Sequence, residues 1–275
     1  MIILLGCIVG LSSSLLGIGG GILVVPLLGF FAASQYGILS QHTIVATSLA
    51  NAWVVTVVNT YFFSRRRQVR WGCALFMGSL TALGALIAGV TAQFVDGIWL
   101  KVVFTLVLVA FTLKMILGTL YSSSFLKEKV ENNEREVEFG KDKKRKAGFL
   151  AFFAGFLSGM SGGGSGMILS PSLIRFRLVR PLEVVPTSNA IVMFTTFFAL
   201  IGYLWRGGLC LTCEPAYWGK VYLGIVAQMA PAAIFSAFWG RRYQEKFPEV
   251  VRFWGLMVLL IALSVKMAVG TLRSL

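Results

Sequence analysis

From Met1 to Gln41 the chain carries no Lys, Arg, Asp or Glu. A water-soluble domain of ordinary composition has about a quarter of its residues charged. Here the charged fraction is 13%, the hydrophobic fraction 57% and the mean hydropathy +0.80. About 20 consecutive apolar residues suffice to cross a hydrocarbon core of ~30 Å. Eight apolar segments approach or exceed that length, at roughly 1–34, 42–63, 72–95, 98–120, 147–174, 184–205, 217–239 and 250–271. The chain is therefore expected to be an all-α integral membrane protein crossing the cell membrane several times.

The net charge of +14 does not point to nucleic acid. The basic residues form short runs between apolar segments, where topology signals lie. The opening Met-Ile-Ile-Leu-Leu-Gly lacks the basic start of a cleavable signal peptide, so none is expected. Cys7 and Cys73 lie among apolar neighbours and read as packing residues. Cys210 and Cys213 form one C-x-x-C in a loop, too few ligands for a structural zinc, and read as a local disulfide or idle thiols.

One stretch is plainly polar. Residues 121–146 contain charges of alternating sign with little apolar content and read as a charged cytoplasmic linker. It separates a first transmembrane repeat, 1–120, from a second, 147–275. The halves share landmarks in the same order. Gly17-Ile18-Gly19-Gly20-Gly21 with Pro26 matches Gly162-Gly163-Gly164-Ser165-Gly166 with Pro171. Thr47-Ser48 matches Thr187-Ser188, Trp71-Gly72 matches Trp218-Gly219, and Lys114-Met115 matches Lys266-Met267. Internal duplication is a common plan of secondary transporters.

The basic loops set the topology. Eight simple crossings would put Arg65–Arg70 and the linker on one side, but Arg175–Arg180 and Arg241–Lys246 on the other. The positive-inside rule is obeyed by all of them if segments one and five are re-entrant hairpins. Their lengths agree: as single helices they would be ~51 Å and ~42 Å long, and a strongly tilted or kinked single helix is the alternative. Each half then has a Gly-broken hydrophobic hairpin plus three transmembrane helices, and the odd number of crossings makes the halves inverted repeats. The loops with Asp96 and with Cys210–Cys213 would face outward.

Consecutive glycines should stop a helix, since each costs ~1 kcal/mol relative to alanine. Open backbone at membrane depth must line a cavity or be buried in protein. The half-helix after each break presents free N–H groups and a positive dipole end, which attract an anion. Gly19, Gly20, Gly21, Gly163, Gly164, Ser165 and Gly166 are therefore candidate substrate-binding residues. Thr47, Ser48 and Asn51 in one half, and Thr187, Ser188 and Asn189 in the other, should complete the shell, with Asn59 returning to the same helix face as Asn51. Close helix packing and interhelical hydrogen bonding are the structural alternatives for the same residues. His42, the single histidine, and Glu183 are candidates for proton coupling at the segment mouths, with an interfacial helix cap as the alternative reading. The few carboxylates outside the linker lie at segment ends, so a midplane proton relay is not expected.

The Gly-Ile-Gly-Gly-Gly-Ile…Pro run, Ala46-Thr47-Ser48-Leu49, the basic loop after Tyr61-Phe62-Phe63, and the repetition of the pattern resemble the sulfite exporter TauE/SafE family over nearly the whole chain. The resemblance implies a bacterial-type membrane transporter of two homologous halves, associated with sulfite, sulfoacetate and related anions, often acting in export. This chain departs from that pattern in the second half, where Ser165 interrupts the glycines and Asn189 follows Thr187-Ser188, so the two half-sites are expected to contribute unequally. The expectation is a secondary transporter exporting a small anion such as sulfite or an organosulfonate, with no cofactor, no metal and no catalytic residues. A carboxylate or metal-ion transporter is the alternative; poor carboxylate content argues against hard cations. A membrane enzyme is harder to assemble from one His and no buried acid, and no nucleotide motif is present.

Overall fold

A computed structural model describes residues 2–16, 21–36, 39–121, 141–163, 165–205, 208–210, 216–243 and 249–272. Gly17, Gly19, Gly20, Gly164, Cys213 and most of the charged linker lie outside these described residues.

The first apolar segment is two helices, α1 (Ile2–Leu16) and α2 (Gly21–Tyr36). Then follow α3 (Gln41–Arg65), α4 (Trp71–Thr91, extended by a short 3-10 turn to Phe94) and α5 (Gly97–Tyr121). The second half repeats the order: α6 (Lys141–Ser161), α7 (Gly166–Arg175), α8 (Val184–Leu204), α9 (Leu223–Tyr243) and α10 (Glu249–Leu272). In the second half α6 ends at Ser161 and α7 begins at Gly166, so helix gives way at the glycines there as expected; residues 17–20, the corresponding stretch of the first half, lie outside the described residues. Two details differ from the expectation. Lys141–Lys146 of the linker are the first turns of α6. Residues 217–222 are not helix but two strands of a small antiparallel sheet, β1 (Leu209–Cys210), β2 (Tyr217–Trp218) and β3 (Val221–Tyr222). Tyr, Trp and Val favour strand, and Gly219 at φ +61° makes the tight turn.

Local chemistry fixes several ends. The Ser40 side chain accepts a hydrogen bond from the Thr43 N–H at 3.2 Å and caps α3. Arg67 (φ 56°) and Arg177 (φ 53°) adopt the left-handed conformation just beyond the ends of α3 and α7. That lets Gln68 N–H reach Phe63 O at 3.1 Å and Leu178 N–H reach Leu173 O at 3.1 Å, closing the last turns.

The two halves pack through each other. In each half the first helix lies along the fourth helix of the other: α1 on α9, and α6 on α4. Both contacts run over glycine. A Cβ at Gly6 would stand 2.6 Å from Met229 O, and one at Gly159 would stand 2.8 Å from Ala85 O. Such close backbone approach is how helices associate where lipid removes any hydrophobic drive. The third helices cross antiparallel at the centre, with Trp53 against Phe197 at a ring separation of 5.5 Å and Asn59 near Asn189. The fifth helices pair through hydroxyls: Thr105 with Thr271 at 2.9 Å and Thr112 with Ser264 at 2.9 Å.

All the described basic stretches gather at one end. Phe63, Val69, Cys73, Ala147, Leu178 and Val184 form one buried cluster, so the start of α6, the end of α7 and the α3–α4 loop adjoin. Arg70 and Glu183 approach to 3.9 Å, and Phe62 meets Phe238 of α9 at 5.9 Å. At the opposite end a Cβ on Gly97 would lie 3.3 Å from the Gln41 side chain. Four of these helices are long and apolar enough to cross a membrane, and large apolar side chains such as Leu75, Leu83, Leu106, Phe149 and Phe235 face outward. Trp71, Trp99, Trp205, Trp218, Trp239 and Trp254 are exposed near element ends, as interfacial belts require.

Candidate functional site

The start of α2 meets the end of α6. A Cβ on Gly21 would stand 2.5 Å from Gly162 O and 3.2 Å from the Gly163 carbonyl carbon, so only glycine fits there. Gly162 itself closes α6 at φ +71°, its N–H bonded to Ser158 O at 2.8 Å. That backbone conformation favours glycine, and a side chain would press on Val45 and Val25.

Ser48 joins the two breaks. Its hydroxyl donates to Gly162 O at 2.8 Å and lies 3.4 Å from Gly21 O. One proton thus serves backbone carbonyls of both halves, and Ser48 organises the breaks rather than offering a free donor. One turn further along α3 stands Asn51. It is 0% exposed, and neither its amide oxygen nor its amide nitrogen has a partner. Ser158, four residues before Gly162, is likewise buried with an unpaired hydroxyl. Leaving such groups unpaired costs about 1–3 kcal/mol each, so their retention asks for a reason beyond folding.

The start of α7 is open in the same sense. Its N-cap residue, Ser165, makes no capping bond. Its hydroxyl instead donates to Thr195 Oγ1 of α8 at 3.0 Å. Gly166 begins the helix, and Gly163 N–H donates to Ser161 Oγ at 3.3 Å. A positive helix end, an unpaired amide and an unpaired hydroxyl therefore flank the second break.

The remaining candidates divide. Thr47 Oγ1 accepts the Tyr222 N–H at 3.0 Å, just before α9, and Thr187 Oγ1 accepts the Arg70 N–H at 3.2 Å, just before α4. Each threonine ties its own half to the other, and those bonds are structural. Ser188 accepts from Ser170 Oγ at 3.0 Å. Asn189 donates to Val185 O at 2.9 Å and accepts from Asn59 at 3.4 Å. Gly19, Gly20 and Gly164 lie outside the described residues. Glu183 sits at the basic end, accepting from the Arg180 N–H at 3.2 Å. His42 sits at the opposite end beside Gly97, its Nδ1 buried without a partner. No group of three or more His, Cys, Asp or Glu suited to a metal occurs among the described residues.

Ser13 and Ser158 escape a reading of the sequence by motif, although each stands four residues before the first glycine of its break. The shared Ser-x-x-x-Gly spacing is the signal that marks them.

No solved structure matches the chain. A protein of Methanocaldococcus jannaschii named as a probable membrane transporter protein is 28% identical over 250 residues, covering 90% of this chain and 86% of its own. One of Bacillus subtilis with the same description is 23% identical over 247 residues, covering 85% and 90%. A third, of Haemophilus influenzae, is 25% identical over 210 residues, covering 76% and 73%. The Sulfite exporter TauE/SafE family model matches residues 2–267. A multi-pass fold of apolar helices, matched over nearly its whole length in this way, is a membrane transporter, and the chain belongs to the sulfite exporter TauE/SafE family.

Proposed function

We propose that this protein exports a small oxyanion, sulfite or an organosulfonate, across the cytoplasmic membrane, and that the anion binds where the two glycine breaks meet. The observation that carries the reading is the unpaired, fully buried Asn51 amide beside the Ser48-bridged contact of Gly21 with Gly162. Around that point the unpaired groups include two that can donate, the Asn51 Nδ2 and the Ser158 hydroxyl, and the positive N-terminal end of α7 follows the second break. No Lys or Arg lies within either break. Several neutral donors suit a group with three oxygens while keeping affinity modest, as release requires. The family name supports sulfite as the first anion to try.

In this reading the halves are inverted repeats, and segments one and five are re-entrant hairpins whose breaks line one path. The gathering of the basic loops at one end supports it, with that end cytoplasmic by the positive-inside rule. Any proton linkage falls to His42 and Glu183, at the two ends of the path. Purified protein in proteoliposomes should move radiolabelled sulfite down its gradient, and sulfonates should compete. Competition by carboxylates or divalent cations, with none by sulfonates, would contradict the substrate assignment.

A further inference from the structure

A second buried polar cluster lies on the same face of α3 as the anion site. Asn59 follows Ser48 by 11 residues, three helical turns, or ~16 Å along the axis. It contacts Ser13 of α1 and Asn189 of α8, and all three residues are at most 1% exposed.

Hydrogen bonding fixes how the Asn189 amide points. Val185 O can only accept, so Asn189 Nδ2 is pinned to it at 2.9 Å, and Asn189 Oδ1 faces Asn59. The Asn59 Nδ2 group stands between Asn189 Oδ1 and Ser13 Oγ, 3.4 Å from each. Both bonds are longer than the usual 2.7–3.2 Å. The Asn59 Oδ1 atom is buried without a partner. The cluster is thus oxygen-rich, with one partly positive nitrogen loosely held between two oxygens. Turning the Asn59 amide over would bring a third oxygen to the same place. Ser13 is three residues before Leu16, the last residue of α1, toward the negative end of that helix's dipole.

We infer that Ser13, Asn59 and Asn189 form a sodium-ion site. Neutral amide and hydroxyl oxygens at a half-helix C-terminus suit a monovalent cation. Divalent ions take carboxylates, and none is present in the cluster. Ser13 and Gly21 lie on either side of the first break, one touching Asn59 and the other Ser48. A cation bound at Ser13 would therefore sit close in sequence to Gly21, which contacts Ser48. The inference concerns cation binding alone and stands or falls separately from the identity of the anion.

The test is thermal unfolding of the purified full chain in detergent, titrated with sodium chloride against choline chloride at constant ionic strength, with no sulfite present. Sodium should raise Tm saturably and choline should not. Asn59→Leu should abolish the sodium-dependent rise. Ser13→Ala, a milder change, should raise the half-saturating sodium concentration on the order of tenfold, the effect of losing one ligand to a charge. Equal Tm in the two salts, or an undiminished sodium response in both variants, would show that the three residues only glue helices together.

Discussion

At the scale of single residues, the proposed anion site rests on polar groups that go unpaired and on glycines that no side chain could replace. Gly21 has no room for a Cβ beside Gly162 O. Gly21→Leu should abolish sulfite flux while the protein still inserts in the membrane; normal flux would move the site elsewhere. Ser48→Ala removes the hydroxyl that serves Gly162 O and Gly21 O. It should lower stability by about 1 kcal/mol, the net value of a typical hydrogen bond, readable as a fall in Tm, and reduce flux by loosening the breaks. The end of α6 at Gly162 and the start of α7 at Gly166 are legible in the sequence because consecutive glycines in an apolar segment disfavour helix. The engagement of Thr47 and Thr187 by the backbone ahead of α9 and α4 is not legible. Those partners are 175 and 117 residues away along the chain, beyond the reach of any local pattern.

At the scale of elements, the segments follow from hydropathy because length and apolarity are what a bilayer demands. The strands at 209–222 escape that logic, since a short β-sheet at the membrane edge keeps apolar residues like those of a span. The start of α6 escapes it too: Lys141–Lys146 read as linker, but strong helix formers adjoining a span extend the helix outward. The α4–α6 contact rests on glycine. A Cβ at Gly155 would collide with Thr81 O. Gly155→Leu should therefore lower Tm by pushing the helices apart, an overpacking cost of about 1–3 kcal/mol or more; an unchanged Tm would mean the two helices can separate freely. At the helix starts, His42→Gln with Glu183→Gln should remove any pH dependence of transport not due to titration of the anion itself. A pH profile identical to the parent's would assign the proton to the substrate.

At the scale of the whole molecule, charge and packing agree. The loops at Arg65–Arg70 and Arg175–Arg180 adjoin at one end, joined through Arg70 and Glu183, while the described loops at the opposite end carry no such basic run. Cysteines introduced beside Arg177 should label only from the cytoplasmic side of intact cells; labelling from outside would overturn the hairpin topology. Because each half grips the other through α1 on α9 and α6 on α4, and Gly21 lies against Gly162, the proposed anion site would draw on both halves. Asn51 tests that claim most directly. Its amide is fully buried and unpaired, so replacing it with an apolar side chain of similar size removes a desolvation cost rather than a bond. Asn51→Leu, reconstituted at matched density, should leave Tm unchanged or raised and yet lose nearly all flux of radiolabelled sulfite; flux at the parental rate would show that the anion passes somewhere else.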